Sequence, residues 1–379
     1  MNHSRRGFLR TLTCASAATL SPGGAETSPS RLTLRDLAGG RPWMGAAVPS
    51  DFESSFSASK LRLLAEQFDC VTPANCMKWN KLCRREGEYH FGPADRLVAR
   101  ATTNNQKIVG HTLVFNRPGN YPAWLFRDGQ KEADAKLVWK RIEEHLATLM
   151  GRYAGKIDSW DVLNEFVEMN PLGYRETDFT RVLGKDYPVR LFKMAAAVDP
   201  KAKLVYNDYG IEQAERRKAI MAFVRSLQDS GCRIDVIGSQ SHLELGQQVT
   251  DGIEATIQEC AKLGVLAAFT ELDVDVVPRK GFFNPKTREK VIQQNPYTDG
   301  APDEILQQQA EFYRDIFEVV TRNRKHVDRV TFWGVTDADS WLNNWPWKRT
   351  NHALLFDREG KPKPAFHAVA KVLANATTE

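Results

Sequence analysis

The sequence has few cysteines for its length and no long apolar run. Six cysteines occur in 379 residues, and no two of them form a C-x-x-C pair. Structural zinc sites commonly use such pairs, so the sequence does not predict a zinc centre. No stretch of about 18 consecutive apolar residues occurs, which argues against a transmembrane helix.

The chain also lacks a strong excess of either charge. Its net charge is +5, and the first 25 residues contribute three arginines and no acidic residue. The rest of the chain is therefore almost neutral. A balanced surface gives no reason to expect a nucleic acid or an anionic membrane as a partner.

The N-terminus differs in composition from the rest of the chain. Residues 4–9 read S-R-R-G-F-L, a weakly apolar stretch follows over 12–20, and small residues precede position 26. This pattern is typical of a twin-arginine export signal, with a disordered basic tail as the alternative. We predict a signal peptide over 1–25, a Ser/Thr/Pro/Gly-rich linker over 26–40 and one domain over 41–375. The mature protein would then be periplasmic or secreted.

Short β-rich runs alternate with longer amphipathic segments along the domain. Helices are predicted over 134–151 and 216–231, each ending at a glycine. Strands are predicted over 43–48, 68–72, 107–112, 157–163, 203–207, 234–240, 266–272 and 330–335. Eight strands alternating with helices predict an α/β fold, a single (β/α)8 TIM barrel.

Polar residues that are costly to bury cluster where these strands end. They are His111, Asn164, Glu165, Asn207, Asp208, Gln240, His242, Glu271 and Asp273. Active sites of such barrels lie at the C-terminal ends of the strands, so we expect these side chains to converge on one cleft.

Glu165 and Glu271 are the natural pair for acid–base chemistry in that cleft. Hydrolysis of a glycosidic bond requires one protonated and one ionised carboxyl group on opposite sides of the bond. Asn164 would donate to a sugar hydroxyl or serve only as a turn residue. His242 and Asp273 would keep Glu271 ionised, unless His242 is a buried histidine satisfied by backbone groups.

Aromatic residues supply a second requirement of sugar binding. Four of the nine tryptophans lie between Trp333 and Trp347. Sugar rings have apolar faces that stack on aromatic side chains, so at least one of these tryptophans is expected in the cleft.

These motifs together resemble the family-10 endo-β-1,4-xylanases. Residues 160–165 read W-D-V-L-N-E and residues 270–274 read T-E-L-D-V, similar to that family's acid/base and nucleophile motifs. Further segments match in order between about 43 and 370. The resemblance implies a retaining hydrolase of internal xylan bonds, with Glu165 as general acid/base and Glu271 as nucleophile. It implies no cofactor or metal.

The resemblance also implies which side chains line the cleft, mostly on the non-reducing side of the cut. They are Asn75, Lys78, His111, Asn164, Gln240, His242, Trp333 and Trp341.

Two segments depart from the family pattern on that same side. Ala74 stands where the family carries a glutamate, and residues 114–118 read V-F-N-R-P instead of V-W-H-S-Q. Loss of a hydrogen-bond partner for a buried sugar hydroxyl costs about 1–3 kcal/mol. We therefore expect altered glycone recognition. Arg117 would either contact an acidic decoration such as a glucuronate or remain solvated.

Two other functions stay open at this point. The chain could be a retaining barrel hydrolase of another β-glycan, or a catalytically weak carbohydrate-binding homologue. In each case the expected partner is a polysaccharide or oligosaccharide, and the expected state is a monomer.

Overall fold

The computed structural model describes residues 33–376, which form a closed barrel of eight parallel strands. Numbered 1 to 8 along the chain, the strands are Trp43–Val48, Cys70–Pro73, Lys107–Phe115, Ser159–Asn164, Lys203–Asp208, Val236–Ser239, Leu266–Asp275 and Val327–Phe332. Each strand pairs with the next, and strand 8 pairs with strand 1. The predicted (β/α)8 barrel is confirmed.

Helices connect successive strands and surround the barrel. The α-helices are Leu34–Ala38, Phe52–Ser55, Ala58–Gln67, Trp79–Leu82, Gly92–Thr103, Ala135–Arg152, Asp178–Leu183, Tyr187–Val198, Ala214–Asp229, Thr250–Lys262, Pro285–Ile292, Asp303–Arg322 and Pro364–Ala376. Short 3-10 helices are Ala123–Phe126, Arg324–His326, Asp337–Asp339 and Trp341–Asn343. Both helices predicted over 134–151 and 216–231 are present within two residues of the predicted bounds.

Short strands extend the loops at the C-terminal end of the barrel. Val167–Met169 pairs with Leu172–Tyr174 as a hairpin directly after strand 4. His242–Glu244 follows strand 6 and pairs in parallel with the end of strand 7. A further two-residue hairpin joins Arg127–Asp128 to Lys131–Glu132.

Several predicted strand bounds differ from the structure by two or three residues, and two of these differences have identifiable reasons. Strand 7 continues three residues past its predicted end because the short strand His242–Glu244 offers it a partner there. Strand 8 begins at Val327 rather than at 330, since Asp328 and Arg329 lie inside it as buried charges. Ion pairs of Asp328 with Lys203 and of Arg329 with Asp161 make that burial possible.

The predicted linker over 26–40 extends too far into the chain. Its last residues form the helix Leu34–Ala38, whose Leu34 and Leu37 are buried. The backbone N–H of Leu34 also donates to Oε1 of Gln67 at 3.1 Å. Residues 34–38 are therefore part of the domain and not of a linker. The predicted signal peptide and residues 26–32 lie outside the described residues.

Three further findings concern residues 33–376. All five cysteines in this range are buried and free. Within it, no helix is long and apolar enough to cross a membrane. The same residues contain no cluster of three or more side chains suited to holding a metal ion.

Candidate active site

The two predicted glutamates lie at the C-terminal end of the barrel. Glu165 comes directly after strand 4, and Glu271 lies inside strand 7. Both are nearly buried, with exposed fractions of 5% and 6%. Glu165 has a φ of 58°, an uncommon left-handed conformation for a residue with a side chain. Its backbone N–H donates to the carbonyl oxygen of Asn207 at 2.9 Å, which holds this turn in place.

Glu271 accepts two side-chain hydrogen bonds, one on each carboxylate oxygen. Asn207 Nδ2 donates to Oε1 at 3.0 Å, and His242 Nε2 lies 3.1 Å from Oε2. The other ring nitrogen of His242 lies 3.1 Å from Asp273 Oδ2. The chain Asp273–His242–Glu271 expected from the sequence is therefore formed by side chains and not by backbone groups.

This chain sets the charge of its members. Burial tends to lower the pKa of His242, but the carboxylates of Asp273 and Glu271 outweigh burial and raise that pKa to about 10. Burial tends to raise the pKa of Glu271, but the hydrogen bond from His242 and the nearby charges of His111, His242 and Lys78 bring it below its usual value. Glu271 is thus held as a carboxylate next to an imidazolium.

Glu165 has a different set of partners. Gln240 Nε2 donates to Oε1 at 3.2 Å. Two guanidinium groups donate to Oε2, from Arg175 at 2.9 Å and from Arg117 at 3.2 Å. Arg175 is itself buried and also donates to Glu168 at 2.8 Å, so the hairpin after strand 4 holds it against Glu165.

A continuous line of side-chain amides connects the two glutamates. Asn207 Nδ2 donates both to Glu271 and to Asn164 Oδ1, the latter at 2.9 Å. Gln240 Nε2 in turn donates to Asn164 Oδ1 at 3.3 Å and to Glu165. Asn164 uses its oxygen for both contacts, and within residues 33–376 its NH2 group has no acceptor, so it can donate to a bound substrate.

The orientation of Asn207 in that line is fixed by its neighbours. The hydroxyl of Thr270 donates to Asn207 Oδ1 at 2.6 Å, so the NH2 group must face Glu271 and Asn164. Strand 6 passes so close that a Cβ at Gly238 would lie 2.4 Å from Asn207 Oδ1. The glycine thus provides the space that Asn207 occupies.

The remaining predicted cleft residues surround the glutamates. Trp341 donates from Nε1 to Asp273 Oδ2 at 2.8 Å and packs against the ring of His242. Trp333 makes edge contacts with His111 and His242, at centroid distances of 5.5 and 6.2 Å. His111 is buried, with Nδ1 2.8 Å from a carboxylate oxygen of Asp161.

Lys78 and Asn75 form a pair on the neighbouring wall. Lys78 Nζ donates to Asn75 Oδ1 at 3.2 Å. Burial lowers the pKa of Lys78, against the carboxylates of Glu271 and Glu165, which act to raise it. Lys78 therefore lies close enough to both glutamates for their charges to act on its pKa.

The segment that departs from the family pattern forms part of the same wall. Lys78 Nζ lies 5.7 Å from the ring centre of Phe115. Asn116 is fully buried, and its side-chain oxygen accepts from Thr177 at 2.7 Å, away from any role at the surface of the cleft. Arg117, by contrast, has a side chain that is 57% exposed while one nitrogen contacts Glu165.

Two residues of this site had no role assigned to them from the sequence. Asn207 was expected in the cleft from its position alone, since it lies near the C-terminal end of strand 5 as Asn164 does at the end of strand 4. Arg175 carried no such signal, because it follows a surface hairpin and reaches Glu165 only once that hairpin has folded.

Comparisons with known proteins agree with this geometry. The chain matches the model of Glycosyl hydrolase family 10 over residues 33–372. It is 32% identical to endo-1,4-β-xylanase A of Xylanibacter ruminicola, over 92% of this chain and 95% of that protein.

Solved structures give the same result. A family-10 endoxylanase from a sugarcane soil metagenome superposes with a TM-score of 0.84 at 35% identity, covering 90% of this chain and all of that one. A mutant protein in complex with xylotriose superposes with a TM-score of 0.82 at 32% identity, covering 89% and 99%.

Proposed function

Because the chain belongs to glycosyl hydrolase family 10, we propose that it is a retaining endo-β-1,4-xylanase. The observation that carries the proposal is the asymmetry of the two glutamates. Glu271 is held ionised beside the imidazolium of His242, whereas Glu165 lies at the other end of the amide line. The substrate class follows from relatives that are named as xylanases and from one that holds xylotriose.

The reaction takes two steps. The carboxylate of Glu271 attacks the anomeric carbon while Glu165 gives its proton to the leaving glycosidic oxygen, so a glycosyl-enzyme forms and the aglycone departs. Glu165 then takes a proton from water, which attacks the same carbon and releases Glu271. The free NH2 group of Asn164 donates to the sugar 2-hydroxyl in both steps, and that contact strengthens in the transition state.

Variants of the two glutamates test the mechanism. Glu165→Ala should lower kcat/KM on xylan by about 10²–10⁴-fold, and azide should restore turnover of an aryl xylobioside with a β-glycosyl azide as product. Glu271→Ala should give the α-azide instead, because azide then attacks the substrate directly. Proton NMR of the wild-type reaction should show the β-anomer first. An α-anomer as the first product would contradict retention.

We also propose altered glycone recognition at the wall beside Glu165. Ala74 has no polar group for a sugar hydroxyl, Phe115 lies against Lys78, and Asn116 is bonded to Thr177. Initial rates on unbranched xylotriose and xylotetraose should therefore be low relative to glucuronoxylan. If the unbranched oligosaccharides are hydrolysed as efficiently as glucuronoxylan, altered glycone recognition is contradicted.

Arg117 is our candidate for contact with an acidic decoration. Its side chain is half exposed, and only one of its nitrogens contacts Glu165. Arg117→Ala should reduce the rate on glucuronoxylan by a larger factor than the rate on the same polymer after removal of its glucuronates. Equal reductions of the rate on the two polymers would show that Arg117 acts only through its contact with Glu165.

A panel of purified polysaccharides separates this function from its alternatives. Faster hydrolysis of a β-glucan than of xylan would favour a hydrolase of another β-glycan. Xylan binding without hydrolysis, unchanged by Glu271→Ala, would favour a carbohydrate-binding homologue. The retained partners of both glutamates support catalysis.

Export by the twin-arginine route is a separate proposal. The S-R-R-x-F-L sequence near the N-terminus supports it, and free buried cysteines suit a protein that folds before export. Replacing Arg5 and Arg6 by lysine should keep the protein in the cytoplasm of an expressing bacterium. Unchanged export would contradict the route.

We propose finally that the enzyme acts as a monomer, without a nucleic-acid or membrane partner. The nearly balanced charge of residues 26–379 supports the second part of this proposal, since it offers no strongly charged surface for a nucleic acid or an anionic membrane. Light scattering should give no mass above the 42.8 kDa of the full chain.

A further inference from the structure

A series of ionisable side chains runs through the interior of the barrel, from the cleft to the opposite end. It begins at His111, whose Nδ1 lies 2.8 Å from Oδ2 of Asp161. The other carboxylate oxygen of Asp161 accepts from the guanidinium of Arg329 at 3.3 Å. Arg329 also donates to Asp328 at 3.4 Å, and Asp328 pairs with Lys203 at the start of strand 5. This ionic series thus connects a cleft residue to the N-terminal ends of the strands.

Strand 8 sends two consecutive side chains into this interior. Residues 327 and 329 pair with two consecutive residues of strand 7, so Asp328 between them is an extra residue in the ladder. A bulge of this kind re-aims the side chain that it carries. The partners of Asp328 and Arg329 lie on strands 5 and 4, which are not neighbours of strand 8. Both side chains therefore cross the barrel.

Arg329 lies well below the glutamates along the barrel axis. Strand 8 pairs with strand 7 at Phe332 and Leu272, the residue after Glu271, whereas Arg329 pairs with Trp43 at the start of strand 1. The three residues from 329 to 332 span roughly 10 Å of strand. A long side chain is therefore needed to reach the partner on strand 4, and arginine provides it. Residues at this end of such barrels usually serve stability, so a contact that extends to the cleft is unusual.

Burial of these charges is costly. Asp161 and Arg329 are each 1% exposed, and Asp328 is fully buried. Within residues 33–376, Nε of Arg329 also lacks a hydrogen-bond partner. Apolar side chains of similar size often replace a buried ion pair without loss of stability. Stability alone therefore does not account for an arginine at this position.

The ionic series controls the charge of Asp161. In the described part of the chain, Arg329 is the one cationic side chain besides His111 that pairs with this carboxyl group. A guanidinium that donates to a buried carboxyl group favours its ionised form, and a carboxylate can only accept from Nδ1 of His111. Nε2 of that ring forms no hydrogen bond within residues 33–376, and the ring contacts Trp333 of the cleft edge-on. Nε2 is therefore left for a sugar hydroxyl.

We propose that Arg329 is a positioning residue, which fixes the tautomer of His111 from the opposite end of the barrel. While Asp161 is held as a carboxylate, Nδ1 keeps its proton and Nε2 is presented to the substrate. Without the guanidinium, Asp161 takes up a proton from solvent and donates a hydrogen bond to Nδ1, so the neutral ring carries its proton on Nε2 instead. The use of Nε2 by a sugar rests on the proposed xylanase function, whereas the tautomer itself does not.

The tautomer can be measured by ¹⁵N NMR without any turnover of substrate. In enzyme labelled with ¹⁵N-histidine, the chemical shifts of the two ring nitrogens distinguish a protonated nitrogen from a bare one. Among the eight histidines, the signals of His111 are those missing from the spectrum of His111→Gln. Nδ1 of His111 should be protonated in the wild type. A bare Nδ1 there would overturn the proposal.

A double variant tests the role of the guanidinium. Asp328→Asn with Arg329→Met removes both charges of one buried pair, and methionine is an apolar side chain of similar length. Nδ1 of His111 should then be bare, and kcat/KM on xylohexaose should fall by roughly ten- to hundredfold, because Nε2 no longer accepts from the sugar. Lys203→Gln is the matched control, since it changes the partly exposed end of the ionic series and leaves Arg329 in place. Its tautomer and its rate should match those of the wild type.

Three results would overturn the role of Arg329. They are a protonated Nδ1 in the double variant, a changed tautomer without loss of kcat/KM, and the same losses in Lys203→Gln. Circular dichroism and the melting temperature establish that each variant is folded. If the double variant does not fold, Arg329→Gln, which keeps a donor but has no charge, must show the bare Nδ1. Absence of hydrolysis by the wild type would instead overturn the xylanase function, and the NMR spectra would still decide the tautomer.

Discussion

At the scale of single residues, the two catalytic glutamates have the same side chain but different hydrogen-bond donors around it. Glu271 accepts from an imidazolium and an amide, while Glu165 accepts from two guanidinium groups and an amide. A double-displacement reaction needs one carboxyl group that stays ionised and one that exchanges a proton. His242 is the residue that assigns the first role to Glu271.

Replacing His242 should therefore shift the pH dependence of activity. In His242→Gln an amide can still donate to Glu271, but the positive charge is lost and the pKa of Glu271 rises. The acid limb of the kcat/KM profile should move to higher pH by roughly one unit. His326→Gln, an exposed histidine, is the control. If the acid limb of the kcat/KM profile stays in place in His242→Gln, the role of His242 is contradicted.

The same substitution should change how stability depends on pH. The folded pKa of His242 is raised from 6.5 to about 10. Its stabilising contribution is thus complete below about pH 6.5 and is lost as the pH rises through about 10. The difference in free energy of unfolding between wild type and His242→Gln should be largest at pH 6 and smaller at pH 10, as measured by urea unfolding.

Asn207 should matter for rate more than for substrate binding. Asn207→Ala removes one donor from Glu271 and one from Asn164, and a hydrogen bond to a charged group contributes about 1.5–3 kcal/mol. We expect kcat to fall by roughly ten- to hundredfold with a smaller change in KM. Thr270→Val, which only frees the oxygen of Asn207, should cost less. A rise in KM alone would contradict this role.

The residues of the site were predictable to different degrees. His242, Asp273 and both glutamates lie at or just after the C-terminal ends of apolar strands, and the barrel rule alone brings such positions together. The contact between Asn207 and Glu271 depends on neighbouring strands and on the hydroxyl of Thr270, which sequence patterns do not reveal.

At the scale of elements, the spacing of strands 5 and 6 places a catalytic side chain. Gly238 in strand 6 allows Asn207 of strand 5 to turn its oxygen towards Thr270. Any side chain at 238 would compete for the same space. The catalytic line therefore depends on a residue that has no side chain.

Gly238→Ala should accordingly impair catalysis. The new methyl group would lie 2.4 Å from Asn207 Oδ1 and 2.8 Å from Thr270 Cγ2, so Asn207 must move. Kcat should fall towards that of Asn207→Ala, with a loss of about 1–3 kcal/mol in stability. Gly151→Ala is the matched control, since it adds a methyl group in open space within a helix. Full activity in Gly238→Ala would contradict the account.

The bounds of strands were predicted wrongly where the strand contains buried charges or pairs with a short strand that the sequence does not reveal. The charges of Asp328 and Arg329 concealed the start of strand 8, since their ion pairs come from strands distant in the sequence. The helix Leu34–Ala38 was assigned to a linker because its two buried leucines are too few for a periodic signal.

At the scale of the whole molecule, the fold does not depend on disulfides. The cysteines of residues 33–376 are buried and free, and burial raises the pKa of Cys76 and of Cys260 to about 12. Packing of the barrel core supplies the stability that cross-links provide in smaller secreted domains.

These thiols should be unreactive in the folded enzyme. The thiolate is the reactive form, and a raised pKa keeps its fraction low at pH 8. A disulfide reagent should label the five thiols slowly in the native state and rapidly in guanidinium chloride. The melting temperature should be the same with and without reductant. Rapid labelling of the native enzyme, or a melting temperature lowered by reductant, would contradict this.

The amide line between the glutamates has a further consequence. Asn207, Asn164 and Gln240 connect Glu271 to Glu165 through side chains that neither gain nor lose a proton near neutral pH. A carboxylate, a histidine or a water molecule in their place could pass the proton of Glu165 directly to Glu271. The line therefore works as a proton insulator. It fixes the geometry of both carboxyl groups, and the proton of Glu165 is transferred to the substrate instead of to Glu271.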